Sequence, residues 1–145
     1  MKQKIRFTLS FVFLISTMLA VQAADLRSSP GSEKLHPALL TKIEAKERSL
    51  ALKTTPQAPL MYRIIVSLQR TPTPHGEIPN LAHIQPRIQA LQETVLGARK
   101  QGTLHILHRY KSLYGFSAMA DRDAILDLMQ IGSVELVEEL PILQK

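Results

Sequence analysis

Leu104-His105-Ile106-Leu107-His108-Arg109-Tyr110-Lys111-Ser112-Leu113-Tyr114-Gly115-Phe116-Ser117-Ala118-Met119 is the stretch on which the fold turns. Leu104, Ile106, His108 and Tyr110 alternate with His105, Leu107 and Arg109, the period of two that a strand requires. Lys111 to Tyr114 reads as a turn and Gly115 to Met119 as a second short strand. Both flanks of this hairpin are helical in period. Upstream, Ile84, Ile88, Leu91 and Val95 are spaced four, three and four apart, with Pro86 near the start and Gly97 or Gly102 available to end the helix. Downstream, Asp121 is placed to cap a helix whose apolar face is Ala124, Ile125, Leu128 and Met129, and Ile131-Gly132-Ser133 stops it.

Further out on each side lies one more strand. Tyr62-Arg63-Ile64-Ile65-Val66-Ser67-Leu68 is rich in β-branched and aromatic residues, and Val134 to Leu140 is a closing strand that Pro141 cannot continue inside a sheet. Prolines 72, 74 and 79 with Gly76 make 71–80 a loop. The order β-α-β-β-α-β over 62–140 predicts an α+β, ferredoxin-like domain: a four-stranded antiparallel sheet with two helices on one face. Right-handed crossovers put the first and third strands in the centre. The second sheet face is left for a partner.

Ahead of this domain the chain changes character twice. Lys2, Lys4 and Arg6 precede an apolar run from Phe7 to Val21 that ends in Val21-Gln22-Ala23. A charged start, an apolar middle and small residues at the end predict a signal peptide over 1–23, and hence a secreted or periplasmic bacterial protein. The segment 24–61 is expected to be a leader docked against the domain or partly mobile. Its Asp25–Lys34 part has loop composition, with Ser28-Ser29-Pro30-Gly31-Ser32. A short amphipathic helix from Pro37 carries Leu39, Leu40, Ile43 and Leu50, and Pro56 and Pro59 end it. The domain with its tail then runs from 62 to 145, the tail being 141–145.

Composition narrows the function. The 145 residues are 45% hydrophobic and 21% charged, a globular balance, and are too few for a multidomain enzyme. With no cysteine there is no disulfide scaffold, thiolate zinc site or thiol nucleophile. The formal charge of +6 falls to +3 once Lys2, Lys4 and Arg6 leave with the signal peptide, too weak for a nucleic-acid footprint.

Candidate chemistry is thin. His105 and His108 suggest a metal pair, but residues three apart on a strand point to opposite faces, so no shared metal is expected. Asp121, Asp123 and Asp127 read as helix-capping and solvating carboxylates rather than a catalytic cluster. Glu138 and Glu139 alternate across a strand and cannot both face one substrate. Nothing matches a nucleophile elbow, a phosphate loop or a His-Glu-x-x-His helix, so no enzyme, cofactor or metal is expected. RNA-binding modules share this topology, but only Phe116 and Tyr62 could serve as stacking aromatics.

Several segments taken in order are similar to a known family. They are Tyr62-Arg63-Ile64-Ile65-Val66, Tyr114-Gly115-Phe116-Ser117-Ala118, Ile125-Leu126-Asp127-Leu128, and Ser133-Val134-Glu135-Leu136-Val137-Glu138-Glu139. On these, residues 62–145 resemble the subtilisin propeptide-like inhibitor domains, the prosegments of subtilisin-type serine proteases and their free-standing relatives. Lys34-Leu35-His36-Pro37-Ala38-Leu39-Leu40 is similar to leaders found before such domains. Tyr114 stands where the family commonly has Asn.

With the sequence running only to Lys145, the resemblance implies a stand-alone inhibitor, or a folding chaperone acting in trans, rather than the front of a protease precursor. It implies that the open sheet face lies on surface helices of the protease, with Glu138 or Glu139 at their N-termini. It also implies that Leu140 leads into a tail, Pro141, Ile142, Leu143, Gln144 and Lys145, extended product-like in the substrate cleft, with Lys145 before the cut and Ile142 in the pocket three residues upstream. The expected partner is a subtilisin-like serine protease, with no nucleic acid and no membrane after signal cleavage, the free chain being a monomer. A ferredoxin-like binding module without a protease partner is the alternative from a different class.

Overall fold

Tyr62 to Leu68 forms β1 with alternating burial, Tyr62, Ile64, Val66 and Leu68 being the buried set. That alternation divides the molecule. The computed structural model describes residues 26–52, 58–70 and 80–141. The signal peptide read over 1–23, all of the 71–80 loop but Asn80, and all of the 141–145 tail but Pro141 lie outside the described residues.

The strands β1 (Tyr62–Leu68), β2 (Leu104–Arg109), β3 (Gly115–Ala120) and β4 (Val134–Glu139) make one antiparallel sheet in the order β2-β3-β1-β4. The first and third strands are central, as the crossover rule requires. The helices are α1 (Pro37–Ala51), α2 (Leu81–Ala98) and α3 (Arg122–Gln130). Their buried side chains, among them Leu39 and Ile43 of α1, Val95 of α2 and Ile125 and Leu128 of α3, join the even-numbered face of β1 in one core. The fold is the α+β, ferredoxin-like arrangement expected, with α1 as a third helix on the same face.

The local chemistry explains most boundaries. Asp121 caps α3 by accepting from Ala124 N–H at 2.8 Å, and its other oxygen accepts from Thr103 N–H at 2.7 Å. Burial pushes the Asp121 carboxyl up, but these backbone donors outweigh it and hold it below the usual aspartate range. Asp127 is likewise committed to structure, accepting from Lys100 N–H at 2.7 Å. Pro37 occupies the first turn of α1, where its missing N–H costs nothing, behind a His36 cap. The α2 helix starts earlier than its apolar period suggests, at Leu81 behind an Asn80 cap. Pro86 is therefore inside the helix and removes one hydrogen bond to the Ala82 carbonyl.

The leader is more deeply integrated than its composition indicates. Residues 26–28 are helical and Ser32–Lys34 form a 3-10 turn, where loop was expected. Leu26, Leu35, Leu39 and Ile43 are all 5% exposed or less and belong to the same core as β1. Leu35 makes a parallel bridge to Val137, and His36 N–H donates to Val137 O at 2.9 Å, so the leader covers the outer edge of β4. Glu44, almost buried, accepts from Arg27 through both oxygens at 2.8 and 3.0 Å.

Two irregularities change side-chain directions. The pairing of β1 with β4 shifts between Ser67 and Leu68, which leaves Val134 in the core and Leu136 on the opposite face. Between Ile106 and His108 the pairing of β2 with β3 shifts by one residue. His105 lies opposite Met119, Ile106 opposite Ala118, and His108 opposite Ser117. The bulge therefore puts both histidines on the same face, contrary to the alternation of a regular strand.

Candidate functional site

The sheet has one face covered by three helices and one that carries no helix among the described residues. On β1 the open face presents Arg63, Ile65 and Ser67, which pair with Met119, Ser117 and Gly115 of β3. On β4 it presents Leu136 opposite Ser67 and Glu138 opposite Ile65. The centre is small and flat, Gly115 and Ser117, with Ile65, Leu136 and Met119 half-buried around it. A Cβ at position 115 would stand 2.4 Å from Val66 O, so only glycine lets β3 approach β1 this closely.

Beyond Gly115 the face runs into a hollow of about 300 Å³ between Ile65, Leu136, Tyr110, Leu113 and Tyr114. Leu113 stands on its rim, 58% exposed. From behind, Gln92 of α2 supports the hairpin. Its buried amide donates to Tyr110 O at 3.0 Å and to Gly115 O at 2.7 Å. Tyr114 keeps an ordinary negative φ, so the residue before Gly115 needs no left-handed turn.

The site residues expected from the sequence separate clearly. Glu138 is on the open face. Glu139 is on the helix face, where it forms an ion pair with Lys42 of α1. Leu140 is half-buried and its N–H donates to Arg63 O at 3.0 Å, one residue beyond the end of β4. Pro141 is exposed. Ile142, Leu143, Gln144 and Lys145 lie outside the described residues. The sequence did not single out Ile65, Met119, Leu136 or Leu113 as surface features; the alternation of β1 could have found Ile65, but alternation in β4 puts Leu136 with the core residue Val134, and only the register shift against β1 separates them.

The two aromatics that an RNA-binding sheet would need are on the wrong side. Tyr62 is 2% and Phe116 0% exposed, both facing the helices. Nothing stacks on a base from there. Burial, with Glu47 nearby, pushes the Tyr62 hydroxyl up to about 12. Beside it a hollow of about 250 Å³ is lined by Glu47, Asp121 and Arg122, and Arg122 pairs with Glu47 at 3.3 Å. Burial pushes the Glu47 carboxyl up against the pull of Arg122. Among the described residues no group of three or more histidines and carboxylates could hold a metal.

With the geometry in place, comparison with family models, curated proteins and solved structures gave no match.

Proposed function

We propose that the chain is an exported inhibitor of a subtilisin-like serine protease, docking by its open sheet face and extending the segment after Pro141 product-like into the substrate cleft. The observation that carries this reading is the open face itself. It is a flat centre of Gly115 and Ser117 framed by Ile65, Leu136 and Met119, with Glu138 at the end of the strand that leads directly to Pro141.

The physics of such a complex is specific. A flat, half-apolar sheet face complements the ridge of a pair of helices, and Glu138 would meet the unpaired N–H groups at a helix N-terminus. The role goes to Glu138 rather than Glu139 because Glu139 lies on the helix face, paired with Lys42. Pro141 fixes its own φ and offers no N–H, which separates the following residues from the sheet and frees them to add a strand to the enzyme. Interfaces of this kind bury about 1,600 Å² in total.

The test is charge insertion on the open face. Ile65→Arg and Leu136→Arg change half-buried positions on the open face, and circular dichroism should show that each variant keeps the fold. Each should weaken inhibition of subtilisin by at least about tenfold, or about 1.4 kcal/mol. Full inhibition by both variants removes the sheet face from the mechanism. Improved refolding of denatured subtilisin without lasting inhibition would instead assign a trans-acting chaperone.

A further inference from the structure

His105 and His108 are the chemistry-bearing pair that the docking reading leaves unused. The register shift after Ile106 makes Leu107 the extra residue of a bulge and gives His108 the partner Ser117. The next residue confirms the geometry: Arg109 pairs with Glu93 of α2, on the helix face, so His108 points the other way. A His-x-x-His sequence thus acquires the side-chain spacing of His-x-His on a regular strand. Their β3 partners Met119 and Ser117 are two residues apart, which places the histidine backbones about 7 Å from one another. Both imidazoles are exposed, and the His108 ring is held edge-on to Tyr110 at 5.0 Å between centroids. Directly opposite His105 in register, and on the same face, is Met119, which carries a thioether.

We propose that His105, His108 and Met119 form a binding site for a single copper ion on the β2 side of the open face. Two imidazoles on one face, at neighbouring positions of the same strand, suit late first-row divalent ions, among which copper(II) binds most tightly at a given nitrogen site. The thioether is a soft ligand that favours copper(I) over zinc. Calcium and magnesium are disfavoured because they need several oxygen ligands, and the two histidines have no carboxylate grouped with them among the described residues. A structural zinc site needs four strong protein ligands. Water completes the coordination here, so the site is open and its affinity moderate. This inference does not depend on the protease reading.

The experiment uses the chain without its first 23 residues, which retains every described residue. Copper(II) sulfate is titrated in a non-coordinating buffer at pH 7.5 with calorimetry and proton–nitrogen NMR. One copper(II) should bind with a dissociation constant in the micromolar range, about 8 kcal/mol. Paramagnetic broadening should centre on 105, 108 and 119. His105→Gln and His108→Gln, both at exposed positions, should each weaken binding at least about tenfold. Met119→Leu should leave copper(II) affinity within about a factor of two and weaken copper(I), measured by anaerobic competition, about tenfold. Equal copper(II) binding by the double histidine variant, or broadening centred on His36 or His83, overturns the site. Unchanged copper(I) affinity in Met119→Leu overturns the part given to the thioether.

Discussion

Glu138 and Glu139 are neighbours in the chain and opposites in the fold: Glu139 meets Lys42 on the helix face, while Glu138 lies opposite Ile65 on the open face. The pleat alone would leave open which of the two faces a partner. The register on β1 and the ion pair to α1 put Glu139 on the helix face and Glu138 on the open one. Replacing Glu138 by Gln should weaken subtilisin inhibition by about 5- to 30-fold, the 1–2 kcal/mol range of a carboxylate at a partly buried helix N-terminus. Glu139→Gln should leave the inhibition constant within about twofold and lower stability by no more than about 1 kcal/mol, as for a part-exposed ion pair. Inhibition constants and urea midpoints of the two variants check both halves.

The leader is part of the core. Ile43 is fully buried against the sheet, so Ile43→Ala should cost about 2–4 kcal/mol in urea unfolding. A fragment beginning at Tyr62 also loses Leu26, Leu35 and Leu39 from the core and should fail to fold cooperatively. A cooperative, equally stable 62–145 fragment would show the leader to be dispensable.

Gly115 allows the central strands to approach. Gly115→Ala should destabilise by about 2 kcal/mol or more, because the added carbon meets a backbone oxygen that cannot move alone. Gly132→Ala, whose Cβ would meet nothing within 4 Å, should change stability by no more than about 0.5 kcal/mol. Equilibrium urea unfolding of the pair separates steric approach from a general effect of adding a methyl group.

Acid should unfold the protein through identifiable carboxylates. Hydrogen bonds from Arg27 hold the Glu44 carboxyl below the usual glutamate range against the opposing effect of burial, and backbone donors do the same for Asp121. A group whose folded pKa is depressed contributes stability above its unfolded pKa, near 4 for a carboxylate, and loses it as pH falls through the folded value. The urea midpoint should therefore drop as pH falls below about 5, and Glu44→Gln should flatten that drop. Glu47, raised by burial, acts in the opposite sense, so Glu47→Gln should steepen it.

Much of this architecture is legible in the sequence because it rests on local rules. Asp121 before an apolar-periodic segment is a cap by its own chemistry, and the span of β1 follows from Tyr62 to Leu68 without tertiary help. What the sequence hides is set by contacts distant in the chain. Leu26 sits next to loop composition, and only the core made by other segments gives it a reason to be buried. Gln92 falls within an apolar helix face and has no sequence mark of the two hairpin carbonyls it satisfies. The bulge at Leu107 leaves the alternation of β2 intact on paper while reversing His108, since a bulge is defined by the partner strand. The open face could be anticipated as a face, but which glutamate belongs to it depends on the register on β1 and on Lys42, almost a hundred residues upstream.

The most direct measurement titrates subtilisin, with a chromogenic peptide substrate, against the chain lacking residues 1–23 and against the same protein ending at Leu140. Stoichiometric or nanomolar inhibition by the first is expected. The shortened protein should have the same circular dichroism and lose inhibition by at least about a hundredfold, or about 2.7 kcal/mol. Absence of inhibition by the longer protein at micromolar concentration, while it remains intact on a gel, contradicts the inhibitor reading. Equal inhibition by the two contradicts entry of the C-terminal segment into the cleft.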